Sequence, residues 1–267
     1  MPPEVPPLPP PPDVLGGMGK LREALVALRN LEHLLASPQV GPRVLAHVLP
    51  ELEQSSSSWK AEASKLVGLL THREEDPTML RNFESFVLAL LDDFAGSLER
   101  ASSTSMAARA RLSLERDVRR LMPSIGSVID HFELLVESRA ARGVPLSLKE
   151  LLFSRPDTGL DKPLVAFRVD GDAELVEVSL PARVAVRAIG ALLACAGPGV
   201  GIAVRTHSSG CTLSIERDVE SGLVAQLPQM VCIADTHAVV RYALGRYGVQ
   251  VSLNGLLLDL PRHSART

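Results

Sequence analysis

Residues 181–261 open PARVAVRAIGALLACAGPGVGIAVRTHSSGCTLSIERD and close, from Thr236, THAVVRYALGRYGVQVSLNGLLLDLP. Pro181 to Ala196 predicts an apolar helix. Gly201 to Thr206 and Cys211 to Arg217 alternate between apolar and polar residues, the pattern of paired strands, joined by His207-Ser208-Ser209-Gly210. Thr236 to Tyr247 is amphipathic and stops at Gly248, a residue suited to a helix C-terminus. Val249 to Leu253 and Leu256 to Leu260 predict a hairpin across Asn254-Gly255, a strong short turn signal. Just upstream, residues 165–169 and 175–178 read as two further strands about an Asp170-Gly171-Asp172 turn.

The chain before this region reads as helix. Leu21, Leu25, Leu28, Leu31, Leu34 and Leu35 recur at helical spacing until Ser37-Pro38. A second helix is expected from Gly41 or Pro42 to Leu70, with the serine run at Ser55 to Ser58 a candidate break, since serine is a weak helix former. Asp76-Pro77-Thr78 signals a third start. Phe83, Phe86, Val87, Leu90, Leu91, Phe94 and Leu98 carry that helix. After a polar break at Ser102 to Ser105, a long fourth helix runs to Gly143, with Pro123 inside it as an expected kink. The fold class is therefore α+β, a helical N-terminal half followed by an α/β-sandwich. The divisions are a proline-rich tail (1–13), N-terminal helices (14–76), a helical hairpin (77–143), a linker (144–160), the α+β domain (161–262) and a closing tail (263–267).

Composition excludes several functions. A net charge of −3 and 3% aromatic residues argue against nucleic-acid binding, which favours a basic surplus and stacking platforms. No apolar run reaches membrane-spanning length, and the N-terminus has no signal-peptide pattern, so no membrane role is expected. Three cysteines without a CxxC spacing argue against a disulfide framework or zinc site and point to a reducing cytoplasm. Met1 to Pro12 reads as an extended polyproline-like tail, either inert or a ligand for a proline-binding groove.

The order of elements after Gly143 resembles the catalytic domain of the sensor histidine kinases, a Bergerat-type ATPase fold. Leu146 to Leu152 resembles the linker after that family's dimerisation helices, and RAIGALLACA (187–196) resembles its N-L-L-x-N-A helix. Residues 201–205 and 211–215 resemble the next two strands, 238–252 the last helix and following strand, and 257–261 the closing strand. The resemblance implies a Mg²⁺-nucleotide site, but the residues that would build it differ. Ala191 stands for the first Asn of the helix motif and Cys195 for the second, the Mg²⁺ ligand. A hard cation wants oxygen, and a thiol is a poor substitute. Where D-x-G-x-G would hold adenine, the chain reads Glu216-Arg217-Asp218-Val219-Glu220-Ser221-Gly222. Where a glycine-rich loop would cradle phosphates, Val231 to His237 has no glycine. The degenerate site is thus Ala191, Cys195 and Asp218, and no cofactor or metal is expected.

The same family dimerises through two-helix hairpins that form a four-helix bundle, so a homodimer is implied here. Its phospho-acceptor motif, in the form H-D-F-x-S-P, aligns with Leu91 to Leu98 and puts Asp92 at the histidine, followed by Asp93-Phe94. A carboxylate cannot relay phosphate as imidazole does. The implied function is that of a non-catalytic adaptor binding a response-regulator receiver domain or a kinase, through Asp92, Asp93, Phe94 and the basic residues Arg116, Arg119 and Arg120. Asp92 and Asp93 also fit an ordinary solvated helix face. The alternative is a histidine phosphotransferase relaying through His131, read as a helix-surface residue flanked by Asp130 and Glu133. Trp59 reads as a packing residue.

Overall fold

The computed structural model describes residues 12–37, 39–71, 77–103, 108–148, 151, 166–170, 176–197, 200–218, 223–224, 231–252 and 256–262. The proline tract, the Asn254-Gly255 turn and most of the 144–160 linker lie outside them. No helix among the described residues is long and apolar enough to cross a membrane. The chain divides into two compact units, Pro10–Phe132 and Glu133–Thr267.

The first unit is built from helices α1 (Pro12–Ala36), α2 (Pro42–Thr71), α3 (Thr78–Ser103) and α4, which runs Ala108–Ala140 and passes its last turns to the second unit. The leucines spaced along α1 bury Leu21, Leu28, Leu31 and Leu35, and α3 buries Leu80, Phe83, Leu91, Phe94 and Leu98. Neighbouring helices run antiparallel. Gly17 near the start of α1 sits against Leu66 near the end of α2. Trp59 of α2 stacks on Phe94 of α3 at 6.1 Å, and Phe83 of α3 meets Phe132 of α4 edge-on at 5.0 Å. Arg111 of α4 donates to the carbonyls of Leu34 and Leu35 at the end of α1 and of Val40 beyond it, at 2.8–3.1 Å. Its guanidinium thus satisfies acceptors that a helix C-terminus leaves without partners. The four helices close an up-down bundle from one chain. Within this chain α1 and α2 lie beside α3 and α4, on the ground where the resemblance implies a second chain's hairpin.

The serine run does not break α2. Ser55 Oγ donates to Glu51 O at 2.8 Å and Ser56 Oγ to Glu53 O at 2.7 Å, the back-bonding that lets hydroxyls ride inside a helix. Pro50 and Pro123 lie within continuous helices.

In the second unit, β1 (Pro145–Ser147) and β3 (Glu177–Ser179) form a small antiparallel sheet. A six-stranded sheet holds β2 (Ala166–Asp170), β4 (Gly201–His207), β5 (Gly210–Asp218), β8 (Leu256–Pro261) and β7 (Gln250–Ser252) in that order, with β6 (Leu223–Val224) beside β5. Only the β2–β4 pair is parallel. Helix α5 (Ala182–Ala196) packs on α6 (Val231–Gly245), which also packs on β7. The helix, strand pair, helix and closing hairpin expected from residues 181–261 are all present. The hairpin expected from 165–178 is not: β2 and β3 belong to different sheets, because β2 extends the rows of β4 after the crossover through β3 and α5. Helix α6 starts five residues before Thr236, so the segment read in place of a phosphate loop has helical backbone.

Gly248 and Gly210 hold backbone that other residues would strain to adopt. Gly248, at φ 79°, turns the chain from α6 into β7, and Gly210 lets the β8 backbone at Leu260 O approach too closely for a Cβ. One face of the sheet is apolar and buried, with Val204, Leu213 and Leu258 in one row. The opposite face carries Thr212, Ser214, Glu216 and Asp259.

Candidate docking surface

Within the bundle, the motif-like stretch on α3 splits by helix geometry. Phe94 points inward and is fully buried beneath Trp59, while Asp92 and Asp93 point outward with side chains 65% and 70% exposed. Phe94, expected in the binding set, is therefore a core residue. Asp92 pairs with Lys60 of α2, and Asp93 lies 3.9 Å from Arg120 of α4. Next along α3, Ser97 Oγ has Asp93 O at 3.0 Å and Asp117 Oδ2 at 3.2 Å as acceptors for its one proton, and it accepts from Arg100 Nη2 at 2.9 Å. On α4, Arg119 reaches Glu32 of α1 at 3.1 Å and Glu115 at 2.8 Å. Arg116 is exposed and makes no ion pair with a described residue. Exposed pairs of alternating sign thus bridge α2 to α3, α3 to α4 and α4 to α1 around the bundle. Exposed pairs of this kind hold about 0–1 kcal/mol each, so a partner can replace them at little cost.

Sequence reading gathered Asp92, Asp93, Arg116, Arg119 and Arg120 onto one surface; the structure brings Asp93 to Arg120, whereas Asp92 pairs toward α2 and Arg119 toward α1. It missed Lys60 and Asp117, whose partners lie on other helices. Arg111, on the same helix as Asp117, faces the end of α1 instead and caps it.

His131 is corrected more strongly. Rather than on the helix surface, it lies in the bundle interior, 2% exposed and edge-on to Phe83 at 5.8 Å. Neither ring nitrogen has a hydrogen-bond partner among the described residues. Burial pushes its pKa down to about 4, so the ring is neutral at physiological pH. A receiver aspartate cannot reach a nitrogen enclosed in this way, and the packing gives no support to relay through His131.

In the second unit, Ala191 and Cys195 sit half-buried, one turn apart on α5. Asp218 ends β5, and its side chain lies outside the described residues. A methyl group and a thiol give Mg²⁺ no oxygen ligand from this helix. No group of metal-ligating side chains occurs among the described residues. Cys211 is buried and its thiol is pushed up to about 12, first by desolvation and then by Asp259, so it stays protonated and inert.

Among the described residues the buried carboxylate of this unit is Glu216. It accepts from Ser214 Oγ at 2.7 Å and faces Arg168 Nη2 at 3.5 Å, with the small Ala203 of β4 lying between β2 and β5. The alternation Thr212-Ser214-Glu216 marks these residues as one polar face, the only sequence signal for this pair. The last turns of α4 also belong here. Arg187 of α5 pairs with Glu133 and, at 2.9 Å, with Glu137. Tyr247 donates its hydroxyl to Ser138 O at 2.7 Å and Ala141 O at 3.0 Å, the acceptors sharing one proton.

Compared with known proteins, the chain matches no protein-family model and no curated protein.

Proposed function

We propose that this chain is a non-catalytic, histidine-kinase-like binding protein whose bundle docks an acidic receiver domain of a response regulator in the cytoplasm. One observation carries the reading: the residues that would do chemistry are replaced or enclosed, while the charges beside them are exposed. Asp92 stands outward where the resemblance implies a phospho-acceptor, and Ala191 and Cys195 stand where it implies metal-binding amides. His131, the other candidate acceptor, is enclosed. Arg116, Arg119 and Arg120 meet the acidic partner, and Asp92 and Asp93 set register by repelling wrong placements.

The test is a pair of calorimetric titrations of the full chain, one with the receiver domains of the same cell and one with Mg²⁺-ATP. At least one receiver domain binds at about micromolar Kd, the range of transient signalling contacts, and ATP gives no heat. Micromolar ATP binding, or no binding by any receiver domain, contradicts the reading.

A further inference from the structure

The two margins of the large sheet differ. On the apolar face one row runs Val169–Val204–Leu213–Leu258–Val251 from β2 to β7. Its three inner members are 0–2% exposed, and Val251 at the β7 margin is 9% exposed. Val169, at the β2 margin, is 45% exposed. β2 has β4 as its one neighbour among the described strands. The buried row therefore runs out onto an edge that leaves a branched apolar side chain in water. Edge strands of this kind template pairing with another chain.

The residues around Val169 say which chain. Arg168 and Asp170 flank it with opposite charges on the opposite face of the sheet, 3.5 Å apart within the strand. If a second β2 pairs antiparallel with the two-fold axis at Val169, the two valines meet and continue the apolar row from one sheet into the next. In that register Arg168 of each copy lies opposite Asp170 of the other. Cross-strand opposite charges and apolar pairs are the stabilising contacts of antiparallel ladders. A one-residue slip would turn one copy's valine to the polar face, and a two-residue shift would set Arg168 against Arg168 or Asp170 against Asp170, so the nearest competitors are disfavoured. We propose that this protein self-associates through β2, forming an isologous dimer with one continuous sheet, independently of its helical bundle.

The test uses the full chain. Light scattering across a concentration series is expected to show a dimer for the wild type and a monomer for Val169→Lys, with unchanged melting temperature. In the same register Val169→Cys places two thiols at directly opposed positions. Opposed residues in an antiparallel pair have Cα atoms about 4.5–5.5 Å apart, within disulfide reach. Mild oxidation is then expected to give a covalent dimer for Val169→Cys, but not for the wild type with its native thiols or for Val26→Cys on α1. A wild type that stays monomeric throughout, a dimer that survives Val169→Lys, or equal cross-linking of Val26→Cys overturns the proposal.

Discussion

In the helical unit the buried histidine, His131, lies edge-on to Phe83 with neither ring nitrogen bonded to a described residue. In the α+β unit the buried His237 sets Nε2 3.3 Å from Ser252 O. The same contrast holds for carboxylates. Among the described residues the bundle keeps Asp92 and Asp93 outside, whereas the sheet encloses Glu216 with Ser214 and Arg168. The bundle leaves these carboxylates at its surface, where they are free to serve a partner. A carboxylate buried in the sheet has to be satisfied internally, so Glu216 is committed to the fold.

The largest expected effect comes from the residue that joins motif and core. Phe94→Ala leaves a cavity beneath Trp59 and costs about 3–5 kcal/mol by chemical denaturation. Loss of receiver binding without loss of stability in this variant would return Phe94 to the docking surface. The second effect is on pH dependence. The folded pKa of His131 is lowered to about 4 by desolvation, against about 6.5 unfolded. Between those values the unfolded chain binds more protons, so this contribution is complete above about pH 6.5 and is lost as pH falls toward 4. The shift corresponds to about 3 kcal/mol. His131→Leu, compared with the wild type by denaturation at both ends of the window, is expected to flatten the profile by that amount. An unchanged profile would mean that the ring is solvated.

Glu216→Gln is expected to cost about 1–3 kcal/mol, because Arg168 loses its buried counter-charge while Ser214 keeps an acceptor. Thermal melts check it, and a stabilised variant would remove the distinction between the two units. The smallest effect belongs to the bundle surface. Lys60→Ala breaks the pair with Asp92 at a cost below about 1 kcal/mol. A larger loss would show that the exposed face is structural.

Helix positions and the closing hairpin were legible because they depend on local periodicity. The leucines of α1, the Asp76-Pro77-Thr78 start and the Gly248 stop act over a few residues. Which strands pair is a long-range matter, so residues 165–178 read as a hairpin although β2 joins β4 and β3 joins β1. The bundle's closure by one chain was hidden for the same reason. An apolar stripe on α3 does not say whether α1 or a second molecule covers it. His131 stands among carboxylates in sequence, but its neighbours in space include Phe83, 48 positions away by numbering (131 − 83). Asp92 and Asp93 were legible as exposed because Phe94 fixes the helix phase beside them.

The central claim is that the outer charges of the bundle hold a partner and do not hold the fold. It is tested most directly by Arg116→Glu in the full chain, titrated with a receiver domain that binds the wild type and melted in parallel. Arg116 is exposed and makes no ion pair with a described residue, so the expected result is an affinity loss of more than about tenfold, from like-charge contact with the acidic partner, with the melting temperature unchanged. Unchanged affinity at unchanged stability would contradict it.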